Sequence, residues 1–234
     1  MIVGLALAAL VAAGCARGAA QPQEPAEHRH AGTAEAAPAP AATEGQEGAA
    51  EEDAAPVSVD GDAYYVDASQ SQASYAVDET FLGQRLDVTA VGKTSALSGA
   101  IVLQNGVIQP STVEVDLTTL RSDQSRRDNR VQQVLDTRNH PRAVFRIEKA
   151  EGDPVLTEGQ EVPIRLTGTM TIKGVDRPLT FAGTAKLADG ILTLSAEATF
   201  AMTEFGVDPP NIASFVAVED EVTVAVTFVG QRQG

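Results

Sequence analysis

Short segments of alternating apolar and polar residues follow one another from Ala63 to the end of this 234-residue chain. In Ile164–Ile172 and Val222–Phe228 every second residue is apolar or glycine, and the residues between them are mostly threonine. A period of two indicates β-strands that bury one face. The pattern is interrupted once, from Ser122 to Leu135, by a polar segment with helical spacing. Because all-β chains of this length usually close into a sandwich or barrel, we expect the helix to lie across an end or a seam.

The connections between these segments are short, which predicts antiparallel pairing. Asn105-Gly106 and Asp189-Gly190 are typical of tight hairpin turns. Lys173–Pro178 is interpreted as a longer connection into the segment Leu179–Leu187. The sequence therefore predicts an all-β domain over residues 63–234, an antiparallel eight-stranded barrel with one short helix over it.

Several positions that should face the barrel interior carry small residues, among them Gly168, Gly183, Ala185, Ala196 and Ala198. An eight-stranded barrel is either filled by its own side chains or holds one small ligand. Small inward residues suit an apolar cavity, but glycines also mark bulges and corners of a packed barrel, and both interpretations stay open. By strand parity, the candidates for lining a cavity are Phe145, Ile147, Ile164, Leu166, Met170, Phe181 and Phe200.

The helical segment begins a stretch that is rich in basic residues. Seven arginines lie between positions 121 and 146, namely Arg121, Arg126, Arg127, Arg130, Arg138, Arg142 and Arg146. Asp123 and Arg127 have i,i+4 spacing and are expected to form an ion pair. Val131, Val134 and Leu135 fall on one helix face, which should pack on the barrel.

The arginines of the helix are candidates for binding an anion. Guanidinium groups bind carboxylates and phosphates through two parallel hydrogen bonds. Arg126, Arg127 and Arg130 are therefore candidate contacts for the anionic head group of a ligand. The alternative is a solvated helix face whose charge is balanced by neighbouring aspartates such as Asp128 and Asp136.

The first fifteen residues resemble a bacterial lipoprotein signal. An apolar run, Ile2–Ala13, is shorter than the roughly 20 residues that a membrane-spanning helix needs. It ends in small residues directly before Cys15, the only cysteine of the chain. In such signals the cysteine is acylated and becomes the first residue of the mature protein. We therefore expect lipidation at Cys15, export, and attachment to a bacterial membrane on the periplasmic or outer side.

Residues 16–62 have a different composition from the rest of the chain. Alanine, proline, glycine, glutamine and glutamate dominate, and acidic residues outnumber basic ones ten to two. Such a segment buries too little apolar surface to offset its conformational entropy, so a disordered acidic linker is expected. The net charge of the whole chain is −15, which argues against a nucleic-acid partner because phosphate binding needs a basic surface.

The residues offer little support for an enzyme. His140 is the only histidine of the predicted domain, and it directly precedes a proline. A serine-histidine mechanism would have to use it with Ser122 or Ser125, neither of which has a nucleophile-elbow motif around it. The charged run Glu219–Glu221 is interpreted as a solvated turn before the last strand. We expect no catalytic site, no metal site and no cofactor.

Several motifs together resemble the YceI family. The first group comprises Ser125–Arg130, Val134–Asp136 and the strand entry His140–Phe145. The second is Gly168–Phe181, which contains Lys173-Gly174-Val175-Asp176-Arg177-Pro178. Glu204–Val207 and the closing strand Val222–Gly230 also lie where the family has equivalents. The resemblance covers roughly residues 64–230.

The resemblance implies a lipocalin-like barrel that encloses a long apolar ligand. Members of the family are exported bacterial proteins linked with polyisoprenoids, isoprenoid quinones or fatty-acid-like molecules. The expected function is therefore extracytoplasmic binding, transport or sequestration of such a lipid. The expected partners are the lipid ligand and, through the N-terminal anchor, a membrane. Because closed-barrel relatives often dimerise, a homodimer is a further expectation. The alternative is a filled barrel that acts as a scaffold and binds an envelope protein through its outer surface.

Overall fold

A computed structural model describes residues 61–81, 86–210 and 216–232 of the chain. The predicted signal segment with Cys15, and the predicted linker up to residue 60, lie outside the described residues. The described residues are mostly strand, with one α-helix and two short 3-10 turns.

The strands all pair in the antiparallel direction, as the short connections predicted. In chain order they are β1 (Asp62–Val66), β2 (Gln72–Phe81), β3 (Leu86–Thr94), β4 (Leu97–Gln104), β5 (Val107–Ile108), β6 (Ser111–Asp116), β7 (Arg142–Ala150), β8 (Glu161–Ile172), β9 (Val175–Ala188), β10 (Ile191–Ala201) and β11 (Val216–Arg232). The helix α1 (Ser125–Val134) lies between β6 and β7, and the 3-10 turns are Leu117–Thr119 and Met202–Phe205.

Eight of these strands close a barrel, which confirms the predicted fold class. The ring runs β1–β4–β6–β7–β8–β9–β10–β11 and returns to β1. The last strand, β11, is 17 residues long and pairs with a different strand at each end of the barrel. At one end, here called the β1 end, its residues Gly230–Arg232 pair with β1. At the other, the α1 end, its residues Val216–Thr227 pair with β2.

The hairpin of β2 and β3 completes the wall at the α1 end. Every residue of β3 from Leu86 to Thr94 has a partner on β2. The opposite edge of β3 faces the segment that follows β6, and the two are separated by a seam. Among the described residues, the only backbone pairing across this seam is the bridge between Lys93 and Arg121, whose two N–H···O distances are 2.8 and 2.9 Å.

The helix α1 contacts both sides of this seam. Arg127 binds Glu79 on β2, and Gln132 Nε2 donates to the Thr118 carbonyl oxygen, 3.0 Å away, just after β6. The helix therefore occupies the place where a further strand ladder would otherwise close the wall, in agreement with the prediction that it lies across a seam.

Two connections differ from their predictions. Lys173-Gly174 is itself a tight turn, with φ values of 53° and 74°, and β9 begins directly after it, so the predicted longer connection is wrong. Pro178 lies inside β9, where it pairs with Thr169 of β8. The proline is tolerated because β10 pairs with β9 only from Ala182 onward, which leaves Pro178 on an edge that needs no N–H donor.

The acidic run Glu219–Glu221 is also not a turn. It lies within β11 at a bulge between Val218 and Val222. The Asp220 carboxylate accepts hydrogen bonds from Thr203 N and Thr203 Oγ1 at 2.9 and 2.6 Å. This contact ties β11 to the 3-10 turn that follows β10.

Candidate functional site

The interior of the barrel contains a cavity of about 460 Å³. Its wall is formed mainly by valine, leucine, isoleucine, methionine, alanine and phenylalanine side chains from β2, β6–β11 and α1. The polar and charged members of the wall all belong to β2 or to the segment Gln124–Arg130. A cavity of this volume lies within the usual range for small-molecule sites, roughly 300–1,000 Å³. The sequence left open whether the barrel interior is a cavity or is packed with side chains, and the structure contains a cavity.

Packed side chains fill the β1 end of the barrel. Tyr64, Leu103 and Leu192 are at most 4% exposed and do not line the cavity. Ile108 and Leu156 are buried in the same way. The cavity is therefore blind at this end and extends toward α1.

Six of the seven side chains expected to line a cavity do so: Phe145, Ile147, Leu166, Met170, Phe181 and Phe200. Two ring pairs organise this wall, because the centroids of Phe145 and Phe181 lie 4.9 Å apart and Phe200 lies 4.9 Å from Phe205. Such tilted aromatic pairs fix the orientation of the rings.

Ile164 does not line the cavity, which corrects the prediction made for it. Its side chain has the inward parity of Leu166 and Met170, and it is 3% exposed. On β8, however, the cavity ends at Leu166, and Ile164 belongs to the packed core beyond that point. Parity places a residue on the inner face but does not give its depth along the barrel.

The two inward glycines allow close approach of strands. A Cβ atom on Gly168 would lie 2.0 Å from the Arg146 carbonyl oxygen, next to the bulge in β7. A Cβ atom on Gly183 would lie 1.9 Å from the Ser195 carbonyl oxygen. Both contacts are far shorter than a carbon atom tolerates. The alternative interpretation, that glycines mark bulges of the barrel, therefore fits Gly168, whereas the strand register is regular on both sides of Gly183. Of the three inward alanines, Ala196 lines the cavity, whereas Ala185 and Ala198 are buried outside its wall.

The helix covers the cavity with its apolar face, as its spacing predicted. Val131, Val134 and Leu135 all line the cavity. The helix begins at Ser125 and not at Ser122, because Ser122 N and Ser122 Oγ both donate to Asp128 Oδ1, at 2.8 and 2.7 Å. These contacts hold the chain in a turn before the first helical residue.

A buried ion pair joins α1 to the barrel. Arg127 Nε donates to Glu79 Oε1 at 3.2 Å, and its terminal NH2 group donates to Glu79 Oε2 at 3.1 Å. Both side chains are 11% exposed. The other terminal nitrogen binds Asp123, which confirms the predicted i,i+4 pair. The hydrogen bonds to Glu79 raise the pKa of Arg127 further above its usual value. The donors of Arg127 are thus satisfied within the protein.

Arg126 and Arg130 have a different environment from Arg127. Both line the cavity and both are exposed. With the residues that the structure describes, neither forms an ion pair or a side-chain hydrogen bond. Two guanidinium groups are therefore placed at the α1 end of an apolar cavity, with no partner for their donors among the described residues.

Sequence reasoning missed polar residues in the cavity wall, among them Tyr75 and Glu79. Both lie on β2 and share the inward parity of Val77. Burial raises the pKa of Tyr75 to about 12, so its hydroxyl is neutral at physiological pH. Glu79 could have been found from its inward parity, because it lies between Val77 and Phe81 on the inner face of the strand. A carboxylate on a buried face needs a partner, which would have pointed to a basic residue nearby.

The histidine considered for catalysis, His140, lies next to the turn between β8 and β9. His140 packs against Gly174, whose Cβ, if present, would lie 2.9 Å from His140 Cε1. Within the described ranges, no group of three or more histidine, cysteine, aspartate or glutamate side chains is placed to hold a metal ion. No helix in the described part of the chain has the length and apolar character that crossing a membrane requires.

Comparison with solved structures finds the same fold in proteins of low sequence identity. A polyisoprenoid binding domain from Saccharophagus degradans, implicated in plant cell wall breakdown, superposes with a TM-score of 0.60 at 15% identity, covering 73% of this chain and 98% of that one. BcnA from Burkholderia cenocepacia superposes with a TM-score of 0.55 at 19% identity, covering 70% and 98%. The YceI protein of Campylobacter jejuni gives 0.50 at 15% identity, covering 61% and 85%.

Comparison of the sequence itself gives a family. No curated protein sequence matches the chain. The family model described as the YceI-like domain matches residues 64–229, which is most of the chain and nearly all of the described barrel. This agrees with the motifs identified in the sequence, and the chain therefore belongs to the YceI-like domain family.

Proposed function

We propose that this protein binds a long apolar ligand, such as a polyisoprenoid, an isoprenoid quinone or a fatty-acid-like lipid, in the barrel cavity. The observation that carries this proposal is the apolar cavity of about 460 Å³, blind at one end and bordered by polar groups at the other. Moving an apolar chain from water into such a site gains roughly 25 cal/mol for each Å² of apolar surface removed from water. The polyisoprenoid binding domain from Saccharophagus degradans, which has the same fold, supports the same ligand class.

The arginines at the α1 end favour a ligand with an anionic head group. Arg126 and Arg130 offer donors next to the apolar wall, whereas Arg127 is bound by Glu79. A hydrogen bond to a charged group contributes about 1.5–3 kcal/mol. Replacing both Arg126 and Arg130 by methionine should therefore weaken binding of a long-chain fatty acid by about tenfold or more. Binding of the matching fatty alcohol should be nearly unchanged, and an equal loss for both ligands would contradict an anionic head group.

The proposal places the barrel outside the cytoplasm on a membrane anchor. It rests on the lipoprotein-like signal ending at Cys15 and on the acidic linker that follows. A single lipid chain gives only marginal membrane binding, so stable retention would need the several chains of an acylated lipoprotein. A protein held in this way would sequester or carry its ligand next to the membrane.

The direct test is native mass spectrometry of the full chain carrying Cys15→Ser, produced in bacteria without detergent. Extraction of the purified protein should release one isoprenoid or acyl lipid per chain. Met170→Trp fills the cavity and should remove that lipid, whereas Thr167→Trp, on the outer face of the same strand, should retain it. A bare protein that also fails to bind quinones, polyprenyl phosphates and fatty acids would favour the scaffold alternative.

A further inference from the structure

A second, smaller cavity of about 350 Å³ lies on the side of the barrel, between β3 and the start of α1. We call it the side groove. Phe81, Leu86 and Val88 supply much of its apolar wall, and Asp123, Gln124 and Arg127 line its helical side. Phe81, Gln124 and Arg127 also line the main cavity, so these three side chains form the partition between the two spaces.

The side groove exposes residues that belong to the inner face of the barrel wall. Leu86 and Val88 lie opposite Phe81 and Glu79 in the register with β2, and so have inward parity. They are nevertheless 50% and 37% exposed. Farther along the same face of β3, Ala90 is 1% exposed. The inner face of β3 is therefore covered along its second half and open along its first.

The groove coincides with the seam in the barrel. In the described structure, neighbouring strands elsewhere in the wall are joined by hydrogen-bonded ladders. Between β3 and the segment that follows β6, the bridge at Lys93 and Arg121 is the only such link found among the described residues, and side chains of α1 close the rest. A molecule that passes here has to displace side chains, but it does not have to break a strand ladder.

We propose that the side groove is the portal through which the apolar ligand enters and leaves the cavity. This inference rests on the function proposed above and names the ligand itself as the occupant of the groove. The groove is continuous with the cavity, because the two share three side chains and an apolar surface runs from Leu86 and Val88 past Phe81 into the interior. Exposed apolar surface beside a cavity usually marks an interaction site.

The test is the rate of ligand exchange, measured by stopped-flow fluorescence with an anthroyloxy-labelled stearic acid and the full chain carrying Cys15→Ser. Leu86→Trp places a bulky side chain in the groove and should slow association and dissociation alike, by about tenfold, at an unchanged Kd. Leu86→Ala should accelerate both steps. Val155→Trp is the matched control, because Val155 is similarly exposed, at 54%, and does not line either cavity, so both rates should stay at their original values.

The outcomes of this test distinguish a failure of the portal proposal from a failure of the proposed function. If the parent chain binds neither the labelled fatty acid nor quinones or polyprenyl phosphates, the proposed function fails and the portal with it. If the parent chain binds but Leu86→Trp exchanges as fast as Val155→Trp, the ligand uses another route and only the portal is overturned. A change in Kd at an unchanged association rate would make the groove part of the resting site. A change of oligomeric state on sedimentation would make it an interface between copies, and either result would overturn the portal.

Discussion

Arg127 differs energetically from its neighbours on α1, because within the described part of the chain it alone of the three cavity-lining arginines is bound to a buried carboxylate. Arg127→Met leaves the Glu79 carboxylate in the barrel wall without its partner. Removing one member of a buried ion pair typically costs 3–5 kcal/mol, and the slight exposure of this pair favours the lower end, about 3 kcal/mol. The free energy of unfolding from urea denaturation measures this loss.

The same helix provides the controls. Arg126→Met and Arg130→Met remove exposed guanidinium groups and should change the free energy of unfolding by no more than about 0.5 kcal/mol. The double variant Glu79→Leu/Arg127→Met should recover most of the loss, since it leaves no unpaired charge. If Arg127→Met is as stable as Arg126→Met, the ion pair does not hold the helix to the barrel.

Tyr75 should make the protein less stable in alkaline solution. Its pKa is raised to about 12 by burial, above the ordinary value of 10.0. Between these values the unfolded chain loses the phenolic proton while the folded chain keeps it, so stability falls as pH rises through this window. Urea midpoints at about pH 9 and about pH 11 should therefore differ less in Tyr75→Phe than in the parent chain. Tyr64, whose pKa is also raised, contributes equally to both proteins. Equal pH dependence of the two proteins would show that Tyr75 is not desolvated.

At the level of single residues, the sequence predicted correctly those features that depend on a local pattern. Parity along a strand correctly placed Phe145, Met170 and Phe181 on the inner face, because the two-residue period is a property of the strand itself. It could not identify the partner of Arg127, because Glu79 lies 48 residues earlier in the chain. It also could not show that Ile164 lies deeper than the end of the cavity.

Among the elements, β8 depends on a glycine for its pairing with β7. Gly168→Ala would place a Cβ atom against the Arg146 carbonyl oxygen, a backbone atom that cannot rotate away. Overpacking of this kind typically costs 1–3 kcal/mol, and we expect about 3 kcal/mol here. Thr167→Ala, the preceding position on the outer face, should cost about 0.5 kcal/mol. Thermal unfolding of the two variants compares these costs, and similar melting temperatures would contradict the close approach of the strands.

Element boundaries were predicted where turn residues lay between regular segments. Asn105-Gly106 and Asp189-Gly190 both adopt the left-handed conformation that two-residue hairpins require. The beginning of β9 was missed because Pro178 suggested a loop, and only the register with β10 shows that Pro178 lies on an unpaired edge.

The seam in the barrel wall was predicted only in general terms, as one of two places where the helix could lie. Its position depends on which strand β11 pairs with at each end, which is a long-range property.

For the whole molecule, the anchor is the prediction that most affects function. Cys15→Ser removes the only thiol available for acylation. In bacteria producing the full chain, the variant should move from the membrane pellet to the soluble fraction of the cell envelope, because the remaining chain has no predicted lipid attachment. Immunoblots of the fractions measure the change, with Ser58→Ala in the linker as the control. Persistence of the variant in the pellet would contradict the anchor.

The packed β1 end gives any bound chain a fixed polarity. Tyr64, Leu103 and Leu192 fill that end, and the polar members of the cavity wall come only from β2 and the segment Gln124–Arg130. A ligand of the proposed kind would therefore have to enter tail first, and its polar end would remain toward α1. Under the proposed function, a receiving membrane or protein would meet the same end of the guest each time, so a single kind of acceptor would suffice for ligands of different tail length.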